Sequence, residues 1–290
     1  MTLTLALRLG RISNLPTVWT NVLVGVLLAG ATLGDARLPL LMLALSLFYV
    51  GGMFLNDAFD RDFDAQHRPD RPIPSGQVSA QQVFTIGFGL LAVGTVIVMV
   101  VSRGADGLPA WRALVAALAL SAFIVHYDAH HKGNVLSPLV MGLCRVCVYL
   151  TAAYSVATLL PGSVWLAATA LLCHLIGLTY IAKQEHLDRI GALWPLGFLA
   201  VPVVYGALLA ITTPAAWLPW ILYVGMMAYA LQRLRRRARG DVPKAVVTLI
   251  AGMSLLDAVV LAGDGKLLAA GLAVAAFALT LMLQRWVSGT

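Results

Sequence analysis

Five of the chain's thirteen acidic residues, Asp57, Asp60, Asp62, Asp64 and Asp70, fall within fourteen positions, with apolar runs on both sides. On a helix each residue turns about 100°, so Asp57, Asp60 and Asp64 share one face while Asp62 points away. Three carboxylates on one face repel unless something positive sits among them. Hard oxygen ligands suit Mg²⁺, which binds through one or two carboxylates and completes its shell with water and substrate phosphates. The competing reading is a solvated helix end whose acids pair with Arg61, Arg68 and Arg71. Arg71-Pro72-Ile73-Pro74-Ser75-Gly76 follows directly. Its prolines stiffen the backbone and Gly76 permits a tight turn, which holds Arg71 near the acids, where its guanidinium could grip a phosphate.

Other reactive residues stand further along. Arg145 lies inside an apolar run, where a charge costs at least ~2.5 kcal/mol on insertion scales and is functional by default. It either completes an anion pocket or pairs with an acid of another helix. Asp257 is a similar buried acid, and its partner is not evident in the sequence. The run Lys183-Gln184-Glu185-His186-Leu187-Asp188 holds the chain's one glutamate. Glu185 and Asp188, at i and i+3, could reach one metal; the whole run could equally be an ordinary loop cluster. His126 and His130 share a helical face, and an interfacial cluster suits them better than zinc. His174 reads as a hydrogen-bonded core residue. Cys144, Cys147 and Cys173 sit in apolar segments and imply no disulfide framework.

The elements that position these residues are membrane helices. The chain is 60% hydrophobic and 11% charged, with a mean hydropathy of +0.86. A soluble surface needs roughly a quarter of its residues charged. Repeated apolar runs of about 18–23 residues indicate helices rather than barrel strands. They are placed near 15–34, 39–56, 79–101, 111–127, 136–160, 163–182, 193–212, 216–234, 243–263 and 266–285, after a short interfacial helix within 1–11. The fold expected is an all-α integral membrane protein, a bundle of about nine to ten transmembrane helices with a central cavity opening to cytoplasmic loops. No domain linker appears, so residues 1–290 read as a single membrane domain. Fifteen basic residues fall in one set of alternate loops and four in the other. This positive-inside bias puts both termini in the cytoplasm and the chain in the cell inner membrane. The net charge of +7 therefore marks orientation and contact with membrane lipid, not nucleic acid. The acids crowd the cytoplasmic edge rather than the midplane, which disfavours an ion transporter.

Asn56-Asp57-x-x-Asp60-x-x-x-Asp64 followed by Arg-Pro-x-x-Ser-Gly resembles the first signature of the UbiA superfamily of intramembrane prenyltransferases. The likeness extends to Asn14–Asn21, Tyr127–Lys132 and Gly142–Arg145, and details such as Leu256-Asp257-Ala258 look most like the EboC-like branch. The resemblance implies Mg²⁺-dependent transfer of an isoprenyl group from a prenyl diphosphate donor to a lipophilic or small polar acceptor. It implies metal binding by Asp57, Asp60 and Asp64, with Asn56 in the same catalytic cavity. Arg71, Lys132, Arg145 and Lys183 would bind diphosphate, and Asn21, Tyr127 and Tyr180 would line the cavity. One departure stands out. Lys183 falls where the family's second motif carries an aspartate, leaving Glu185 and Asp188 as second-site acids and metal ligands. That opens two alternatives: a single-metal site serving a sugar or polyol acceptor, or a non-catalytic prenyl-lipid carrier or transport component on the same fold.

Overall fold

The computed structural model describes residues 1–102, 110–183, 194–236, 238–287 and 289. Every regular element among them is a helix: α1 (Leu3–Leu9), α2 (Leu15–Leu28), α3 (Leu38–Phe59), α4 (Arg61–His67), α5 (Ala80–Val101), α6 (Trp111–His130), α7 (Ser137–Tyr154), α8 (Gly162–Lys183), α9 (Ala200–Thr212), α10 (Trp217–Arg236), α11 (Asp241–Gly263) and α12 (Leu267–Leu283). Each of the ten expected apolar segments is a helix. Among the described residues, eight stretches are long and apolar enough to cross a membrane, and the stretches around α2 and α12 are shorter. The protein is a multi-pass membrane protein.

Local chemistry sets the boundaries. Ser79 and Gln82 form a reciprocal capping box that starts α5, satisfying donors that the first turn leaves unpaired. The first membrane segment was expected to run to 34 but ends at Leu28, because Gly30 takes a left-handed φ of 97°, a conformation glycine adopts without strain. The segment expected over 136–160 stops at Tyr154. There the Ser155 carbonyl leaves the helix to accept from Arg37 Nη1 at 3.0 Å. The segment expected from 193 begins as 3₁₀ turns over Trp194–Leu199 before α9.

Helix α11 is the core of the bundle: most of its residues, including Ser254 and Asp257, are buried. It packs on α10, α12, α2, α8 and α9, and α2 in turn packs on α7 and α3. The α2–α7 contact is close. A Cβ at Gly25 would stand 2.5 Å from the Tyr149 carbonyl oxygen and 2.8 Å from the Ala152 Cβ. Glycine is what lets these two backbones approach, and it brings polar side chains of α2 and α7 within reach of each other.

Candidate functional site

Asp60 ends α3 and begins α4, so the acidic stretch is two abutting helices rather than one. The helical spacing survives the junction, because Asp64 N–H still donates to the Asp60 carbonyl at 2.8 Å. Asp57 and Asp64 are buried, whereas the Asp62 side chain is 83% exposed. The expected division into three facing acids and one outward acid holds.

The acids are met by cations from separate elements. Asp57 Oδ1 accepts from Arg11 Nη2 at 3.2 Å and from Arg71 Nη1 at 3.5 Å. Lys132 Nζ lies 2.7 Å from Asp60 Oδ1 and 3.7 Å from the centre of the Phe63 ring. Arg11 stands far from the acidic stretch in sequence. Its backbone is left-handed, with φ 42°, and its carbonyl is held by the Tyr49 hydroxyl at 3.2 Å. That turn folds α1 back and aims the guanidinium at α3. The one local clue was its place just ahead of Asn14-Leu15-Pro16. Arg8, Arg11, Asp57 and Arg71 line a polar vestibule with Pro72 and Val287. Burial, then the neighbouring charge of Arg11, pulls the Arg71 guanidinium below its ordinary pKa. Two crowded arginines against one carboxylate leave positive charge for an anion to satisfy.

Behind the vestibule is an apolar cavity. Phe48, Leu120, Ile124 and Met141 line it, together with Tyr127, Asp128 and Arg145. Asn56 joins the two spaces. Its Oδ1 accepts from Arg11 Nη2 at 3.2 Å, and its Nδ2 donates to Asp128 Oδ1 at 3.1 Å. Asp128, in the last turn of α6, is therefore part of the site.

Three expectations need correction or relocation. Arg145 is not at the carboxylates that would hold a metal. It lies on the apolar cavity wall, where Nη1 donates to Asn21 Oδ1 at 3.2 Å and the guanidinium stands 5.4 Å from the Tyr49 ring centre. Asn21 does not line the cavity. It is fully buried behind the wall and donates to Asp257 Oδ2 at 2.8 Å. Asp257 also accepts from the Tyr149 hydroxyl, so the acid without an evident partner in the sequence is partnered in the fold. Lys183 Nζ donates to the Asn134 carbonyl at 2.6 Å and to Ser137 Oγ at 2.8 Å; its described partners are a loop carbonyl and the first residue of α7 rather than acids. Tyr180 is half-buried in the last turns of α8. Glu185 and Asp188 lie outside the described residues. His174 is a core residue as expected, bonded to the Tyr223 hydroxyl at 2.8 Å and the Leu249 carbonyl at 2.9 Å.

The donor set suits a hard cation that arrives with phosphate. Asp64 Oδ1 is buried and has no hydrogen-bond partner among the described residues, and burial raises the Asp64 carboxyl above its ordinary pKa. A buried, unpartnered carboxylate oxygen is costly until something positive pairs with it. Among the described residues, no three His, Cys, Asp or Glu side chains converge closely enough to hold a metal unaided. Such an open set of oxygens fits Mg²⁺, which takes the remainder of its shell from phosphates and water.

Comparison with known proteins gives the site a setting. The sequence profile of the UbiA prenyltransferase family matches residues 18–253. The digeranylgeranylglyceryl phosphate synthase of Methanopyrus kandleri is 32% identical over 202 residues, 69% of each chain. That of Methanothrix thermoacetophila is 36% identical over 112 residues, 38% of this chain and 39% of its own. Among solved structures, a digeranylgeranylglyceryl phosphate synthase in membranes covers 91% of this chain and 98% of its own, with a TM-score of 0.61 at 18% identity. A UbiA homologue from Archaeoglobus fulgidus bound to GPP and Mg²⁺ covers 96% and 99%, with a TM-score of 0.53 at 15% identity. The solved structures share the fold, and the sequence matches carry the kinship: the chain belongs to the UbiA prenyltransferase family.

Proposed function

We propose that the protein transfers an isoprenyl group from a prenyl diphosphate to an alcohol acceptor within the membrane, with Mg²⁺ at the diphosphate. The observation that carries this reading is the double engagement of Asp57 by Arg11 and Arg71 at the mouth of an apolar cavity. An isoprenyl diphosphate has the same two-part character: a charged head for the vestibule and an apolar chain for the cavity.

In this reading Asp57, Asp60 and Asp64 hold the metal, and Glu185 and Asp188 are candidate second-site ligands. When bound, Mg²⁺ neutralises charge that builds on the departing diphosphate. Arg11, Arg71 and Lys132 orient the diphosphate and stabilise the same charge through charge-assisted hydrogen bonds. The apolar wall keeps water from the allylic carbon, and the rings of Tyr49 and Tyr127 face it with π-electrons. The relatives named for digeranylgeranylglyceryl phosphate support an acceptor of the glycerol type. The 290 residues act as one domain, set in the cell inner membrane with both termini cytoplasmic, as the charge bias supports.

The test is turnover of labelled prenyl diphosphates by purified protein with Mg²⁺ and a glycerol-based acceptor. Product should form in the wild type and be lost on combining Asp57→Ala with Asp60→Ala. Undiminished turnover in that variant would sink the assignment, and prenyl-lipid binding without diphosphate release would instead indicate a carrier.

A further inference from the structure

Arg11 is the one non-glycine residue with a left-handed backbone among the described residues. Such a conformation is strained and persists only where its surroundings over-determine it. Two restraints are direct: the Arg11 carbonyl accepts from the Tyr49 hydroxyl at 3.2 Å and from the Asn14 N–H at 3.1 Å. A third reaches Arg11 through the Asn14 side chain. Asn14 is 3% exposed, and both ends of its amide bond the segment that follows α12. Its Nδ2 donates to the Gly289 carbonyl at 2.9 Å, and its Oδ1 accepts from Gln284 Nε2 at 2.8 Å. The chain winds one further turn after Leu283, whose carbonyl accepts from the Val287 N–H at 3.0 Å. That turn leaves Trp286 exposed and brings Val287 into the wall of the vestibule, beside Arg11, Asp57 and Arg71. Gly289 fits closely. A Cβ there would stand 2.9 Å from Asn14 Oδ1 and 3.0 Å from Gln284 Nε2.

Asn14 closes the 3₁₀ turn Ile12–Asn14 that follows Arg11, so holding its buried amide holds the turn. The Arg11 guanidinium stands at the end of a side chain with much rotational freedom, and ordering it on binding would count against affinity. A turn fixed beforehand lowers that cost. In the fold it already aims Nη2 at Asn56 Oδ1 and Asp57 Oδ1, each at 3.2 Å. We propose that Gln284 and Gly289 are positioning residues for the diphosphate: they clamp Asn14, and through it the left-handed turn that directs Arg11 into the vestibule. Neither acts on the ligand itself. Both lie beyond residues 18–253, the stretch that the family profile matches, so the clamp is a feature of this chain rather than of the shared motif. The proposal rests on the prenyl-transfer reading and adds to it the residues that hold one of its diphosphate-binding groups.

The experiment uses the full chain in detergent. Binding of geranyl diphosphate with Mg²⁺ is measured by calorimetry for the wild type, Gln284→Met and Gly289→Ala, and for the same two substitutions in an Arg11→Ala background. Hydrogen exchange over residues 8–14 is followed without ligand in a separate arm. Each substitution should weaken binding by about threefold to tenfold, the range that one neutral hydrogen bond covers. In the Arg11→Ala background each should cost less than about twofold, because residues that act through one another do not add. Exchange over residues 8–14 should quicken in both variants, while α5, which packs on α3 and α6, stays protected and shows that the variants are folded. Equal losses of affinity in the two backgrounds would overturn the proposal, since a merely structural contact weakens binding whether or not Arg11 is present. Unchanged exchange over residues 8–14 would overturn it as well. Should geranyl diphosphate fail to bind the wild type, the prenyl-transfer reading falls, and the exchange arm decides the clamp alone. If one variant does not fold, the other decides; if neither folds, Gln284→Asn replaces them, withdrawing the amide from Asn14 by one carbon.

Discussion

Arg11 and Arg71 donate to the same oxygen of Asp57, at 3.2 and 3.5 Å. They come from opposite sides of the acid in sequence, one from the turn before α2 and the other from the loop after α4. Each hydrogen bond to a charged group contributes about 1.5–3 kcal/mol. Arg11→Ala and Arg71→Ala should therefore each reduce kcat/KM for the prenyl diphosphate by about 10- to 100-fold. Steady-state kinetics at saturating acceptor would measure this. The double variant should lose less than the product of the two, because the arginines share one partner.

Asp64 offers a test of buried charge. Burial raises its carboxyl, and Arg71 offsets that only in part. A carboxyl raised in the folded state contributes stability that is fully present below its unfolded pKa of about 3.9. That contribution is lost as pH rises through the folded value. Asp64→Asn should thus raise the melting temperature of the metal-free protein at neutral pH, with a gain that shrinks toward pH 4. Thermal unfolding across pH 4–8 would show it, and the same variant should lose stabilisation by Mg²⁺ with prenyl diphosphate.

Removing Asp257 strips the Tyr149 hydroxyl and the Asn21 amide of their partner and loosens the Asn21 that holds Arg145. Breaking a buried charged network by deleting one member costs about 3–5 kcal/mol. Asp257→Ala should unfold at markedly lower temperature. Asp257→Asn keeps one acceptor oxygen and turns the other position into a donor, so it should fall between that variant and wild type. Denaturation monitored by circular dichroism separates the three.

Gly25→Ala probes the approach of α2 to α7. The added methyl would meet the Tyr149 carbonyl and the Ala152 methyl inside normal contact distance. Overpacking of this kind costs about 1–3 kcal/mol. Thermal unfolding of the variant beside the wild type would measure the loss.

Much of this was legible in the sequence, and the physics explains which part. Membrane helices announce themselves by apolar length, so all ten segments could be placed. The outward turn of Asp62 followed from helical spacing alone. Spacing is a local property, however. It located Arg145 and Asp257 as anomalies but could not pair them through Asn21, since Asn21 and Asp257 are 236 positions apart. Arg11 was hidden because orientation charges and ligand-gripping charges look alike until a left-handed turn aims one of them. Lys183 shows the reverse. Its position relative to the family motif suggested phosphate, and only the fold reveals the Asn134–Ser137 loop beside it.

The Asn21–Asp257 bond also bears on how the protein is made. Chains enter the membrane from the N-terminus onward, and an acid at mid-helix resists entry by roughly 2.5–3.5 kcal/mol. Asn21 and Tyr149 are synthesised long before Asp257, so both partners are in place when α11 arrives. A deeply buried helix thus arrives late in synthesis, and its acid closes the bundle as a latch against partners that are already made.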